Sequence, residues 1–484
     1  MSADLRKVHD YIDAHFDEHV SNIQRFIRQP SISYTGEGVL DCANMLIDAI
    51  RDLGAERFEL GEFEGGWPVV YGEVNSKNPD AKTLIVYTIY DVMPVDEEGW
   101  KVEPFSADII DGTEIHLPPD YGRVIVGRGA RNQKGPIIAF MNALRAMKEA
   151  EGDIPVNIIF TLDGEEECMS PHFPEFLKRY EKDLSRADAA YYVNPGSDEN
   201  NVHNMYLGYR GIIPIELEVK GGEWGGPARG PLFSAEDALV DAPAWRLVQA
   251  MATLRDADGK ILIDGFYDDL RPPNEEEREL IEKVKANSGR ADPEVMKQKL
   301  GVKKWKRGKS FEELVDNYLW GPLINIDGIV GGYTGPMVKT GLPHRVLAKM
   351  DIRLFPDMET EDIVRKLRRH LDKHGFPEVE IKRQEMGGAR SGWNASTVPF
   401  DSPVVQSAIR TGEQMGAKGT VVWPIYFASC PLGMMAGSPL HLPVVSAGLG
   451  RMGNEHQDNE YFTLDGVNIY EKWVTAFLHD YAST

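Results

Sequence analysis

The sequence predicts an α/β fold built on a parallel sheet with an inserted α+β unit, and three observations carry that reading. Short apolar, β-rich runs alternate with amphipathic helical stretches, and each run ends in polar residues. From about Gly211 the texture changes to half-exposed alternating strands. After about residue 394 it returns to the first pattern.

Val8, Ile12, Phe16, Val20, Ile23, Phe26 and Ile27 recur at helical spacing, so 1–30 is predicted helical. A second helix runs from Cys42, stops at Gly54 and leads into a strand. TLIVYTIY, from Thr83, is a buried strand, and GPIIAFMNALRAMKEAEG, from Gly135, an amphipathic helix. VNIIFTLDGEEE, from Val156, runs from strand into acidic turn; ADAAYYVNPG, from Ala187, is a strand that reaches Asn194. Ligands of such sheets gather at the carboxyl ends of the strands. Tyr90-Asp91, Glu165-Glu166-Glu167 and Asn194 are therefore expected to converge.

In the second texture, IIPIELEVKGG and VLAKMDIRLFPD read as strands, DALVDAPAWRLVQAMATL and TEDIVRKLRRHLDKHG as helices. GFYDDLRPPNEEERELIEKV through GKSFEELVDNYLW is a long charged excursion within it. Strand-like GTVVWPIYF and glycine-rich AGLGRMGNEHQDNE close the chain's return. The expected organisation is a discontinuous α/β unit, 1–210 with 393–484, and an inserted unit at 211–392.

Composition narrows the function classes. The 484 residues are 42% hydrophobic and 27% charged, as in an ordinary globular protein of two or more domains. A net charge of -23 repels nucleic acid and anionic membranes. No apolar run of about 18 residues is present, and the charged amphipathic N-terminus does not read as a signal peptide. Cys42, Cys168 and Cys430 follow no motif spacing, which favours a reducing, cytoplasmic setting.

Seven segments carry chemistry: YDVMPVDEEGW (90–100), GRGARNQKGP (127–136), DGEEE (163–167), DGFYDDLRPP (264–273), INIDGIVGGYTGPMVKTGLP (324–343), DIRLFP (351–356) and EHQDNE (455–460). In this order and spacing they resemble the co-catalytic zinc peptidases of the carnosinase, aminoacylase and acetylornithine-deacetylase family, in its carnosinase-like dipeptidase branch. The resemblance implies a zinc-aminopeptidase-like three-layer catalytic domain, an inserted lid and dimerisation domain, and a homodimer acting on a small molecule. It also implies two zinc ions held by side chains from five segments, with a glutamate as general base.

Carried over position by position, that pattern is incomplete. The first histidine falls on Ile89, the bridging aspartate on Asn132 and a later ligand aspartate on Asn194. The base falls on Glu166, the following ligand on Glu167 and the last histidine on His456, and Asp91 is kept. Isoleucine has no donor atom, and a neutral amide is a weak zinc ligand that cannot bridge as a carboxylate does. No cofactor is therefore expected, with Glu167 and His456 as residual candidates for a single zinc.

The surviving acids would repel one another without a cation, and Arg131 beside Asn132 is expected to supply charge there. The resemblance implies that Arg353 binds a substrate carboxylate and that Ser429 lies in the turn nearby. The family's lid histidine is absent from 220–245, where Arg229 is the candidate replacement. Cys168, Cys430 and His344 read as packing or surface residues, and His172 as a residue at a helix N-terminus. Four readings follow: a metal-free hydrolase of an amide-like bond with Glu166 as general acid and base; an isomerase or lyase; a silent binding protein; a single-metal hydrolase.

Overall fold

A computed structural model describes residues 3–95, 98–197, 201–287 and 293–484. Positions 96 and 97 of the Tyr90–Trp100 motif lie outside the described residues. The larger layer is an eight-stranded sheet in the order Arg57–Gly61, Val69–Val74, Asn157–Asp163, Thr83–Ile89, Ala189–Val193, Val444–Ala447, His203–Tyr206 and Thr420–Trp423. Its centre is parallel as expected: Thr83–Ile89 pairs in parallel with both neighbours, and Val444–Ala447 with Ala189–Val193. The sheet as a whole is mixed, because Val69–Val74 joins antiparallel to both neighbours and His203–Tyr206 antiparallel to Val444–Ala447.

Parallel strands covered on both faces read as continuous apolar runs, and every residue of Thr83–Ile89 is buried. Register sets Ile89 opposite Asp163. The residues that follow both strands, Tyr90-Asp91 and Glu165–Glu167, therefore emerge side by side at one edge of the sheet.

The helix expected at Gly135 spans Lys134–Glu151 and is buried on nearly all sides rather than along one stripe. It lies among Ala3–Ala14, Phe16–Arg28 and Leu464–Ala482, which leave it little contact with water. The predicted N-terminal helix is two, parted at His15.

A second, six-stranded sheet runs antiparallel through Leu323–Gly331, Arg345–Leu354, Gly208–Lys220 and Glu380–Arg383, and Gly208–Lys220 also pairs with Ser396–Thr397 (antiparallel) and Tyr426–Ser429 (parallel). Ile213, Ile215, Leu217 and Val219 pack there with Leu247, Leu254, Ile363 and Leu367 from two helices in a separate core. Gly208–Lys220 carries Tyr209 in the larger core near its start and runs into this second one. Residues near 210 thus sit at the junction of the two. Leu280, Ile281, Val284, Val315 and Leu319 of the charged excursion, which the expected division assigns to the inserted unit, pack into the larger core. Among the described residues no helix is long and apolar enough to cross a membrane.

Candidate active site

A cavity of about 530 Å³ opens where the strand ends meet the junction of the two cores. Arg131, Asn132, Glu166, Glu167, Asn194 and His456 line one part of it; Arg353 and Ser429 line it as well. The expected convergence of the acidic turn with Asn194 is present, and the distant His456 and Arg353 reach the same space.

Three successive glutamates point three ways. Glu165 accepts from the Trp67 amide (2.6 Å) and contacts His172 Nδ1 (2.9 Å), which removes it from the cavity. Glu167 turns toward Asn132 and His456. Glu166, between them in a single 3₁₀ turn, faces the cavity, and no protein hydrogen bond reaches its carboxyl among the described residues. Burial raises the Glu166 carboxyl well above the usual carboxylate range, and the charges of Glu167 and Asp91 add to that.

Asp91 is the anchor of this turn and does not line the cavity. It accepts from the Glu166 amide at 3.1 Å, the Glu167 amide at 3.0 Å and Ser33 Oγ at 2.7 Å. Burial and the Glu167 charge raise its carboxyl too, against the pull of those donors. Behind it, Asp163 holds the Glu165 amide (3.0 Å) and Ser170 (2.7 Å), and burial pushes it up to about 7.

Asn132 Nδ2, Glu167 Oε1 and His456 Nε2 form a small triangle. Asn132 donates to Glu167 at 2.8 Å, and His456 lies 3.1 Å from the same oxygen and 3.0 Å from the Asn132 nitrogen. Burial pulls the imidazole down, but the hydrogen bond and charge of Glu167 outweigh it and the net shift is upward. A protonated His456 donates to Glu167 and leaves the Asn132 amide to the same carboxylate. His456 thus brings positive charge to this group of acids when protonated, and the Arg131 guanidinium is ion-paired with Glu455.

Asn194 donates to Ser446 Oγ at 3.2 Å, and its buried Oδ1 has no partner. Ile89 is fully buried in the larger core. Arg353 is ion-paired with Asp351 and donates to Ser429 Oγ at 2.9 Å. Arg229, the candidate replacement for the lid histidine, is exposed in the loop after Gly208–Lys220 and does not line the cavity of its own chain. Burial pushes the Cys168 thiol up to about 12 and Cys430 well above its ordinary value, so neither is a thiolate nucleophile. His172 precedes the Phe173–Arg179 helix and His344 is exposed, as expected.

Sequence reasoning missed the residue that holds the loop bearing Asn132. Glu460 is fully buried and accepts from Arg128 Nη1 (2.9 Å) and from the amides of Gly129 (3.2 Å), Arg131 (2.9 Å) and Asn132 (2.7 Å). Its signal was its place at the end of the EHQDNE segment. Tyr34, Tyr192, Tyr209 and Tyr426 supply an aromatic wall that no motif announced.

Residues 86–480 match the peptidase family M20/M25/M40. The chain belongs to this family. It is 29% identical over 403 residues to the Beta-Ala-His dipeptidase of Rattus norvegicus, covering 77% of this chain and 74% of that protein. It is 27% identical over 386 residues to a Cys-Gly metallodipeptidase of Schizosaccharomyces pombe, with 77% and 76% covered. Among solved structures, an M20 family metallo-carboxypeptidase from Sulfolobus solfataricus superposes with a TM-score of 0.84 at 32% identity, covering 96% of this chain and all of that one.

The donor set of this M20 chain does not fit a zinc pair. Ile89 offers nothing, and Asn194 brings a neutral amide whose nitrogen is bonded to Ser446 Oγ. Asn132 presents an N–H where a bridge needs an anionic oxygen. One carboxylate and one imidazole converge, and among the described residues no three His, Cys, Asp or Glu side chains gather around one point.

Proposed function

We propose that this chain hydrolyses a small amide or peptide-like C–N bond without a metal, with Glu166 as general acid and base. The observation that carries the reading is the Glu166 carboxyl, which faces the cavity without a protein hydrogen bond among the described residues and is raised by burial and two neighbouring acids. Membership of a peptidase family, and relatives named as dipeptidases, support hydrolysis as the reaction class.

Ionised Glu166 takes a proton from water as the water oxygen bonds to the carbonyl carbon. The carbonyl electron pair moves onto oxygen to give the tetrahedral intermediate. Glu166 returns the proton to the nitrogen as the oxyanion pair re-forms the carbonyl, so the C–N bond breaks with a neutral amine as leaving group. Asn132 and Asn194 are the amides placed to stabilise the oxyanion. A half-turn of the Asn194 carboxamide keeps its contact with Ser446 and replaces its unpartnered oxygen with a donor. His456 holds Glu167 and exchanges a proton with solvent through its exposed face, while Arg131 and Asp91 keep the surrounding loops in place. Arg353 and Ser429 receive a substrate carboxylate.

A Lewis acid contributes several kcal/mol of transition-state stabilisation, so an activated or strained amide is a better substrate than a plain peptide. Chain dialysed against chelator is expected to keep its activity on β-Ala-His, Cys-Gly or an amino-acid anilide, with metal well below one ion per chain. Stoichiometric zinc that survives dialysis and restores lost activity sinks this reading and favours a single metal at the Glu167–His456 contact.

We also propose that residues 211–392 act as a lid and dimerisation unit. The edge strand Leu323–Gly331 and the loop after it expose Ile329, Val330, Met337 and Val338, the last two almost completely. Sedimentation equilibrium is expected to give twice the chain mass; a monomer at micromolar concentration removes the proposal.

A further inference from the structure

One cavity-lining cation is not used by the mechanism above. Arg210 lies on the strand Gly208–Lys220 where the two cores meet, and it is 2% exposed. Its guanidinium donates to the Tyr318 carbonyl and lies over the Phe355 ring, 5.0 Å from the centroid. Its Nε has no partner. Among the described residues no carboxylate pairs with it.

A buried guanidinium without an anion carries a desolvation cost. Backbone carbonyls and aromatic faces offset part of that cost, but they leave the charge whole. Burial lowers this group to about 10, so it is still a cation at neutral pH, and the Arg353 charge acts in the same direction. Arg353 differs in kind: Asp351 already neutralises it. Ser429 ties the two arginines together, because it pairs with Arg210 in strand register and accepts from Arg353 at 2.9 Å. All three line the same cavity as Glu166.

We propose that Arg210 is the principal anion receptor of this cavity and binds the substrate carboxylate, with Arg353 and Ser429 as supporting donors. This rests on the reading of the cavity as a site for a small amide, and it moves the charge recognition assigned to Arg353 onto a residue with an uncompensated charge. A substrate with a free carboxylate enters as the missing counter-ion; a neutral amide of the same shape leaves the cation unpaired. Arg353, held by Asp351, then orients the carboxylate more than it attracts it.

The test is calorimetric titration with N-acetylglycinate and its neutral analogue N-acetylglycinamide. Using the Glu166→Gln background separates binding from turnover. The parent is expected to prefer the carboxylate by about tenfold or more. Arg210→Gln is expected to abolish that preference, Arg210→Lys to keep a reduced one, and Arg353→Gln to weaken both probes while leaving the preference largely intact. A purely structural Arg210 would lower the melting temperature of its variants without changing the ratio of the two affinities, and that result overturns the proposal. So does a parent with no preference for the carboxylate, a measurement that needs no folded Arg210 variant. If the preference follows Arg210 and no amide is ever hydrolysed, the receptor stands and the hydrolytic reading fails.

Discussion

Glu166→Gln is expected to cut turnover by about a hundred- to ten-thousand-fold, the range for loss of a positioned general acid–base. The exchange is nearly isosteric and breaks no protein hydrogen bond among the described residues, so thermal stability should hold or rise slightly. A rise is reasonable because one member of a crowded group of acids becomes neutral. The pH profile gives a second readout. A base raised above the carboxylate range stays protonated to higher pH than a free carboxylate, and its ionised form grows with pH. The limb of kcat/KM on the acid side should therefore be displaced upward from the range of a free glutamate, and it should vanish in the variant. Activity that survives the substitution, or a profile that levels off near pH 5, removes Glu166 from the mechanism. A chain in which no substrate is turned over, and in which ligand binding is the same with Glu or Gln at this position, is a binding protein on a peptidase fold.

Glu460→Ala should have the largest effect on stability, about 3–5 kcal/mol, the usual cost of removing one partner of a buried ion pair. Arg128, with its side chain 5% exposed, would be left without its carboxylate, and three loop amides would lose their acceptor. Activity should fall as well, because the Asn132 amide is one of the three and Asn132 touches Glu167. Glu460→Gln is the sharper probe, since its carbonyl oxygen can still serve some of those donors. It should recover part of the stability and leave the Arg128 charge unpaired. Denaturant unfolding of the three proteins checks this; equal midpoints would show that the loop is held by something else.

Much of the larger sheet was legible because its strands are continuous apolar runs bounded by polar ends. The meeting of Asp91, Glu166, Glu167 and Asn194 followed from one rule about strand termini. Partners distant in sequence were not legible. Its neighbour in sequence suggests Arg131 as a source of charge beside Asn132, but not its ion pair with Glu455, a residue of the last glycine-rich segment. Nor does the sequence show that His456 reaches Glu167 from that same segment. Arg210 was invisible for another reason. An arginine in a strand normally marks an exposed face, and nothing local announces that this strand crosses from one core to the other at that residue. The helix Lys134–Glu151 was misjudged because its polar positions are covered by terminal segments far along the chain.

The Glu460 clasp has a consequence for how this protein can change over time. The loop that presents Asn132 is held from behind by one carboxylate on backbone amides, which are the same for every residue type. What the tip carries is thereby uncoupled from what keeps its shape. Substitutions at position 132 can alter chemistry without a matching cost in folding, so new reactivities can be sampled on a scaffold whose inheritance is secure.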